Sequence, residues 1–191
     1  MNKPELDRPY LVGENIYLRA LEIEDVDKGY LQWINDHEVI KYLETAHFPK
    51  TRSSLIKYVE NIENTPNVVF FSIIEKSTGR YIGNAKLGPI SWINSNAEYG
   101  RMIGAKEAWG KGYGKEVARL LLRYGFEVLG LNKITAGALV DNQASIKSNE
   151  KIGLRIEGCL KEQTFHEGKF KDSIRMGITR REYNKLYLSI I

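Results

Sequence analysis

The stretch WGKGYGKEVARLL, Trp109 to Leu121, carries glycines at 110, 112 and 114 and lysines at 111 and 115, then turns apolar. Val117, Leu120, Leu121, Tyr124 and Val128 follow at i, i+3, i+4, i+7 and i+11, the stripe of a helix with one buried face. The chain therefore commits to a tight glycine turn feeding a helix. Such a junction gathers unbonded backbone N–H groups and the positive end of the helix dipole at one point, where an anion binds. Glycine admits unusual backbone angles there and lets a phosphate approach without meeting a Cβ. A turn with a structural role alone uses the same glycines, and these residues by themselves leave both readings open.

Spacing narrows the choice of anion site. A Walker loop needs Gly-Lys-Ser/Thr, but Glu116 follows Gly114-Lys115 and Trp109 stands where the first glycine belongs. A dinucleotide fingerprint fails because Val117 occupies its third glycine position. His37, His47, His166 and Cys159 are scattered, so no metal site is expected, and no GxSxG elbow occurs. What remains is a pyrophosphate cradle.

The rest of the chain reads as one domain over residues 1–191, with no repeat or linker. Asn15 to Leu21 alternates as a strand with Ile16, Leu18 and Ala20 inward and Tyr17 and Arg19 outward. Val26, Tyr30, Trp33 and Ile34 then sit at helical spacing with Asp25 near the start, and a second helix is expected from about Ser53 to Asn64. Two strands meet at a turn over Ser77-Thr78-Gly79, and Ala97 to Ala105 is a further strand. After the glycine helix come a strand (NKITAGAL), a short helix closed by Gly153, and a hairpin around His166-Glu167-Gly168. The order is α/β or α+β, a mixed sheet covered by about four helices. At 42% apolar and 27% charged residues the chain is globular, and its net charge of +4 is too diffuse for nucleic acid. One cysteine fits a reducing compartment, and no apolar run reaches membrane length, so a cytoplasmic protein with no membrane partner is expected.

Several co-linear stretches, IYLRALEIEDVDKGYLQWINDHEVIKYLE, YIGNAKL, AEYGRMIGAKEAWGKGYGKEVARLL and VDNQASIKSNEKIGLRIEG, together resemble the GNAT superfamily of acyl-CoA-dependent N-acyltransferases. The chain resembles especially the branch that is similar to ribosomal-protein N-terminal acetyltransferases and bacterial amino-sugar acetyltransferases. The resemblance implies a mostly antiparallel sheet with a splayed central strand pair and acetyl-CoA as cosubstrate. It also implies direct attack by an amine in a ternary complex. Lys111, Gly112, Tyr113, Gly114 and Lys115 would cradle the pyrophosphate, with Trp109 replacing the usual Gln/Arg. Met102, Ile103 and Gly104 would pair with pantetheine, and Asn142 and Ser145 would lie near the sulfur. Homodimers are frequent in the branch, and one is expected here.

Acetyl transfer requires a neutral amine, a polarised carbonyl and a proton for the thiolate. Glu98, eleven positions before Trp109 as in a known family base, is the base candidate; an ion-paired strand carboxylate is the alternative. Asn149 falls where many relatives carry an acidic tyrosine, and Ser145 is the substitute donor that the resemblance implies, although a serine there also suits a helix cap. Cys159 reads as a small core residue. Trp33, Asn35, Asp36 and Tyr42 fall in the region that lines the acceptor pocket in relatives, with Trp33 equally suited to the core. The expected acceptor is a small-molecule amine, a nucleotide-linked amino sugar first and a peptide N-terminus second. A non-catalytic acyl-CoA-binding module is the competing class.

Overall fold

The computed structural model describes residues 7–43 and 48–188; His47 lies outside them. Its strands are β1 (Leu11–Val12), β2 (Ile16–Ala20), β3 (Val69–Glu75), β4 (Arg80–Ser91), β5 (Asn96–Ile103), β6 (Lys133–Leu139), β7 (Arg155–His166) and β8 (Lys169–Thr179). They form one sheet in the order β1-β2-β3-β4-β5-β6-β8-β7. Every neighbouring pair is antiparallel except β5 and β6. The α-helices are α1 (Leu31–Ile34), α2 (Arg52–Glu63), α3 (Tyr113–Arg123), α4 (Gln143–Glu150) and α5 (Arg180–Tyr183), five where about four were expected. The result is a mixed α/β single domain.

Helix α3 buries Val117, Leu120 and Leu121 against β2, β4 and β5, and Tyr124 just after it is buried too. The apolar stripe stops there: the chain loosens into a π turn at Tyr124–Val128, and Val128 is exposed rather than buried. The expected first helix is likewise interrupted. Ile23–Asp25 is a 3-10 turn, and Gly29, at φ 149°, breaks the run before α1 begins at Leu31.

The alternation expected of β2 fails at Tyr17, which is buried, at Ala20, which is exposed, and at Arg19. Arg19 was expected outward but is buried, because its guanidinium reaches Asp25 with Nη1–Oδ2 at 2.7 Å and Nη2–Oδ1 at 2.6 Å. Asp25 stands at a helical start as expected, third in the 3-10 turn with its carboxylate accepting from the Glu22 amide, and it is fully buried and also accepts from Ser72 Oγ at 2.6 Å. Burial raises the Asp25 carboxyl pKa, but the Arg19, Ser72 and Glu22 hydrogen bonds outweigh that and hold it below the usual value. Cys159, expected in the core, is exposed because β7 has no buried residue on either face.

Candidate active site

The parallel pair is short. Asn96, Ala97 and Glu98 face Lys133, Ile134 and Thr135, and there the ladder ends. From Tyr99 onward β5 follows only β4, while β6 continues along β8 as far as Leu139. A wedge opens between the two strands, with its apex at Glu98 and Thr135. Met102, Ile103 and Gly104 lie toward its wide end, where β4 presses in: a Cβ on Gly83 would come within 2.1 Å of the Met102 carbonyl oxygen.

The glycine turn stands at that wide end. Gly110 and Gly112 have φ of 75° and 83°, left-handed values that favour glycine, and a Cβ on either would meet nothing within 4 Å. Gly112 is the N-cap of α3. Among the described residues no partner is found for the amides of Lys111, Gly112, Tyr113 and Gly114. Lys115 is half-buried beside them. The chain holds this loop through Glu75 at the end of β3, a buried residue that sequence reasoning missed. Its carboxylate accepts from Thr78 Oγ1 and Tyr113 Oη, each at 2.6 Å, and from Lys111 Nζ at 3.3 Å. These three donors hold the Glu75 carboxyl down at about 2, and the same contact pushes the Tyr113 phenol up to about 12. Glu116 fixes the helix from its other side by accepting from the Asn15 and Ile16 amides. Trp109 donates its indole N–H to the Ile103 carbonyl at 2.7 Å.

Glu75 thus anchors the loop electrostatically, and Glu75→Ala should lower unfolding free energy by about 1–3 kcal/mol at neutral pH. The carboxyl is depressed in the fold, so its contribution is full above about pH 4.5 and is lost as pH falls toward about 2. Denaturant melts of wild type and variant should therefore differ by a constant amount above pH 5 and converge on acidification.

Side chains alternate across a strand, which divides β5 into two faces. Tyr99 and Arg101 reach α4: Tyr99 Oη lies 2.5 Å from Asn149 Oδ1, and Arg101 Nη2 lies 3.0 Å from Ser148 Oγ. Glu98 points the other way, and so does the Cβ direction of Gly104, which would meet Trp33 at 2.0 Å. Glu98 Oε2 accepts from Arg175 Nη1 at 2.6 Å, and Oε1 lies over Gly137, 3.5 Å from where a Cβ would stand. Glu98 is therefore a half-exposed, ion-paired carboxylate at the apex, on the face that carries α1.

Asn142 caps α4 by accepting from the Ser145 amide at 3.1 Å, so Ser145 is the third helical residue and not the cap. Trp33 is buried, wedged between Gly29 and Gly104 and 4.8 Å from the Tyr81 ring. Asn35 bonds Lys50 through both ends of its amide, and Asp36 accepts from the Glu38 and Val39 amides and pairs with Lys106. These three shape the chain around α1. Tyr42 is exposed and stacks on His166 at 5.6 Å, with Lys41 paired to Glu167 alongside, so the β7–β8 hairpin tip meets the loop after α1. Beside Trp33 lies an open cavity of about 630 Å³ that includes Lys28, Gln32, Asp36, Arg80, Lys106 and Glu107. Its two carboxylates are both paired, Asp36 with Lys106 and Glu107 with Arg80.

A family model described as an acetyltransferase (GNAT) domain matches residues 15–155. The uncharacterized N-acetyltransferase p20 of Bacillus licheniformis is 32% identical over 91% of this chain and 97% of its own. Spermidine N(1)-acetyltransferase of Vibrio cholerae is 28% identical over 90% of this chain and 97% of its own. A crystal structure of a Vibrio cholerae spermidine N-acetyltransferase with CoA and spermine superposes with a TM-score of 0.81 at 27% identity, covering 88% of this chain and 98% of that one.

Proposed function

Because this chain belongs to the GNAT acetyltransferase family and is an acyl-CoA-dependent N-acetyltransferase, we propose that it acetylates a small primary amine bearing an anionic group, such as a nucleotide-linked amino sugar. Acetyl-CoA is the family's cosubstrate, and the loop fits it: Lys111, Gly112, Tyr113 and Gly114 offer amides with no partner found among the described residues, Gly112 leaves open space, and Lys111 and Lys115 bring two cations to a pyrophosphate. Met102, Ile103 and Gly104 would line the pantetheine arm, and Asn142 and Ser145 its sulfur end. The coenzyme supplies an activated acetyl group. Glu98, on the α1 face, takes the proton of the incoming amine directly or through a water.

The cavity beside Trp33 carries the acceptor reading. Of its lining cations, Arg80 is paired with Glu107 and Lys106 with Asp36 and Glu38, which leaves Lys28 without an ion pair among the described residues. That one positive charge favours a phosphate-bearing amine. A polyamine is the second reading, favoured by the similarity to spermidine N(1)-acetyltransferase.

Thiol release from acetyl-CoA over amino-sugar nucleotides, polyamines and peptides with free N-termini tests both. Turnover is expected on the nucleotide-linked amines, falling roughly 10²-fold in Glu98→Gln. Preference for spermidine would replace the first acceptor reading with the second, and full activity in the variant would remove Glu98 as base.

A further inference from the structure

The position where many relatives of this family carry an acidic tyrosine is Asn149 here, and an amide cannot donate a proton to a thiolate. Asn149 is buried, and its Oδ1 receives two donors: Tyr99 Oη at 2.5 Å and Arg101 Nη1 at 3.1 Å. Arg101 Nη1 also lies 2.8 Å from the Tyr99 oxygen. The guanidinium reaches this point by crossing beneath the first turn of α3, where Gly114 leaves room: a Cβ there would come within 3.1 Å of Nε. A phenol is therefore present beside α4, supplied by the strand instead of the helix.

Resting on the acetyl-transfer reading, we infer that Tyr99 is the proton donor to the departing sulfur, with Asn149 and Arg101 as its positioning residues. Two features of the fold and one of its chemistry support this. Tyr99 is the first residue of β5 beyond the last β5–β6 pair, so it flanks the apex of the wedge. It points to the opposite face from Glu98, which separates base and acid across the strand on which the thioester would lie. A phenol is also a far stronger acid than the alkyl hydroxyl of Ser145. Burial, the largest influence, raises the phenol, keeping it protonated at neutral pH; Arg101 acts the other way and would stabilise the phenolate.

The amine nitrogen bonds to the acetyl carbon and gives its proton to Glu98 or water. The C–S bond breaks with its electron pair going to sulfur, which takes the Tyr99 proton after the hydroxyl rotates away from Asn149. Arg101 holds the phenolate until solvent returns a proton.

Tyr99→Phe should lower kcat roughly 10²- to 10⁴-fold while the CoA dissociation constant, by calorimetry, changes less than about threefold. A second variant carrying 3-fluorotyrosine at position 99 retains the hydroxyl and lowers its pKa. The alkaline limb of its kcat profile should move to lower pH, and its fluorine resonance should shift with CoA more than with desulfo-CoA, which lacks the thiol. The proposal is overturned if Tyr99→Phe turns over within threefold of wild type, or if the fluorine signal treats the two coenzymes alike. Loss of kcat in Ser145→Ala with Tyr99→Phe unaffected would give the role to the serine. Absence of turnover in the wild type on every amine would instead count against acetyl transfer, and the fluorine comparison would still decide whether Tyr99 meets the sulfur.

Discussion

Gly112→Asp is expected to weaken CoA binding at least 100-fold while leaving the fold in place. The residue sits at φ 83° and ψ 0°, so any side chain brings a strain of about 1–2 kcal/mol at that one position. A Cβ would meet no atom within 4 Å, so nothing in the protein itself is displaced. The ligand is affected more. A carboxylate held about 4 Å from a phosphate in surroundings of intermediate polarity opposes it by roughly 4 kcal/mol, and every 1.4 kcal/mol is tenfold in affinity. Calorimetric titration with CoA, paired with a thermal melt, separates the two effects. A dissociation constant within threefold of wild type would remove the glycine turn from the coenzyme site.

The second large effect concerns stability. Asp25→Ala leaves the Arg19 guanidinium buried without its bidentate partner, a loss of about 3–5 kcal/mol. In a chain of this size each kcal/mol moves Tm by roughly 2–4 °C, so a fall on the order of 10 °C is expected. The loss depends on pH in a defined direction. Asp25 is depressed in the fold, so its contribution is complete above the ordinary carboxylate range near about 4 and disappears as pH falls through the lower folded value. Wild type should therefore approach the variant in acid. The double substitution Arg19→Met, Asp25→Leu removes both charges and should melt above the single variant; a lower Tm for the double would contradict the pairing argument.

That ion pair also shows where sequence and structure part company. Period-two alternation placed Arg19 outward, and the rule is sound for a strand with one wet face, but β2 is covered on both. Nothing local to IYLRA reveals a partner six residues on that arrives only when the 3-10 turn forms. The glycine turn was legible because its demands are local: spacing, a helix start and an apolar stripe. Glu75 was not, since its role depends on β3 ending beside α3, a contact between residues 36 and 38 positions apart. The base candidate Glu98 followed from resemblance, whereas its Arg175 partner comes from a strand 77 residues later. Asn149 was visible as a departure from the family pattern. Its neighbour Tyr99 emerged only when strand and helix were brought side by side.

The sheet's two portions, β1 to β5 and β6 to β8, share a ladder of three residue pairs. Mechanically this is a seam, and whatever fills the wedge touches both of its sides. A ligand bound only by the folded chain adds about 2.7 kcal/mol of stability at a concentration one hundred times its dissociation constant. Here that increment falls across the three-pair joint between the two portions. If acetyl-CoA fills the wedge, amide exchange along β5 and β6 should therefore slow on its binding more than exchange along β2 and β3, and the coenzyme would be mortar between courses as well as a reactant.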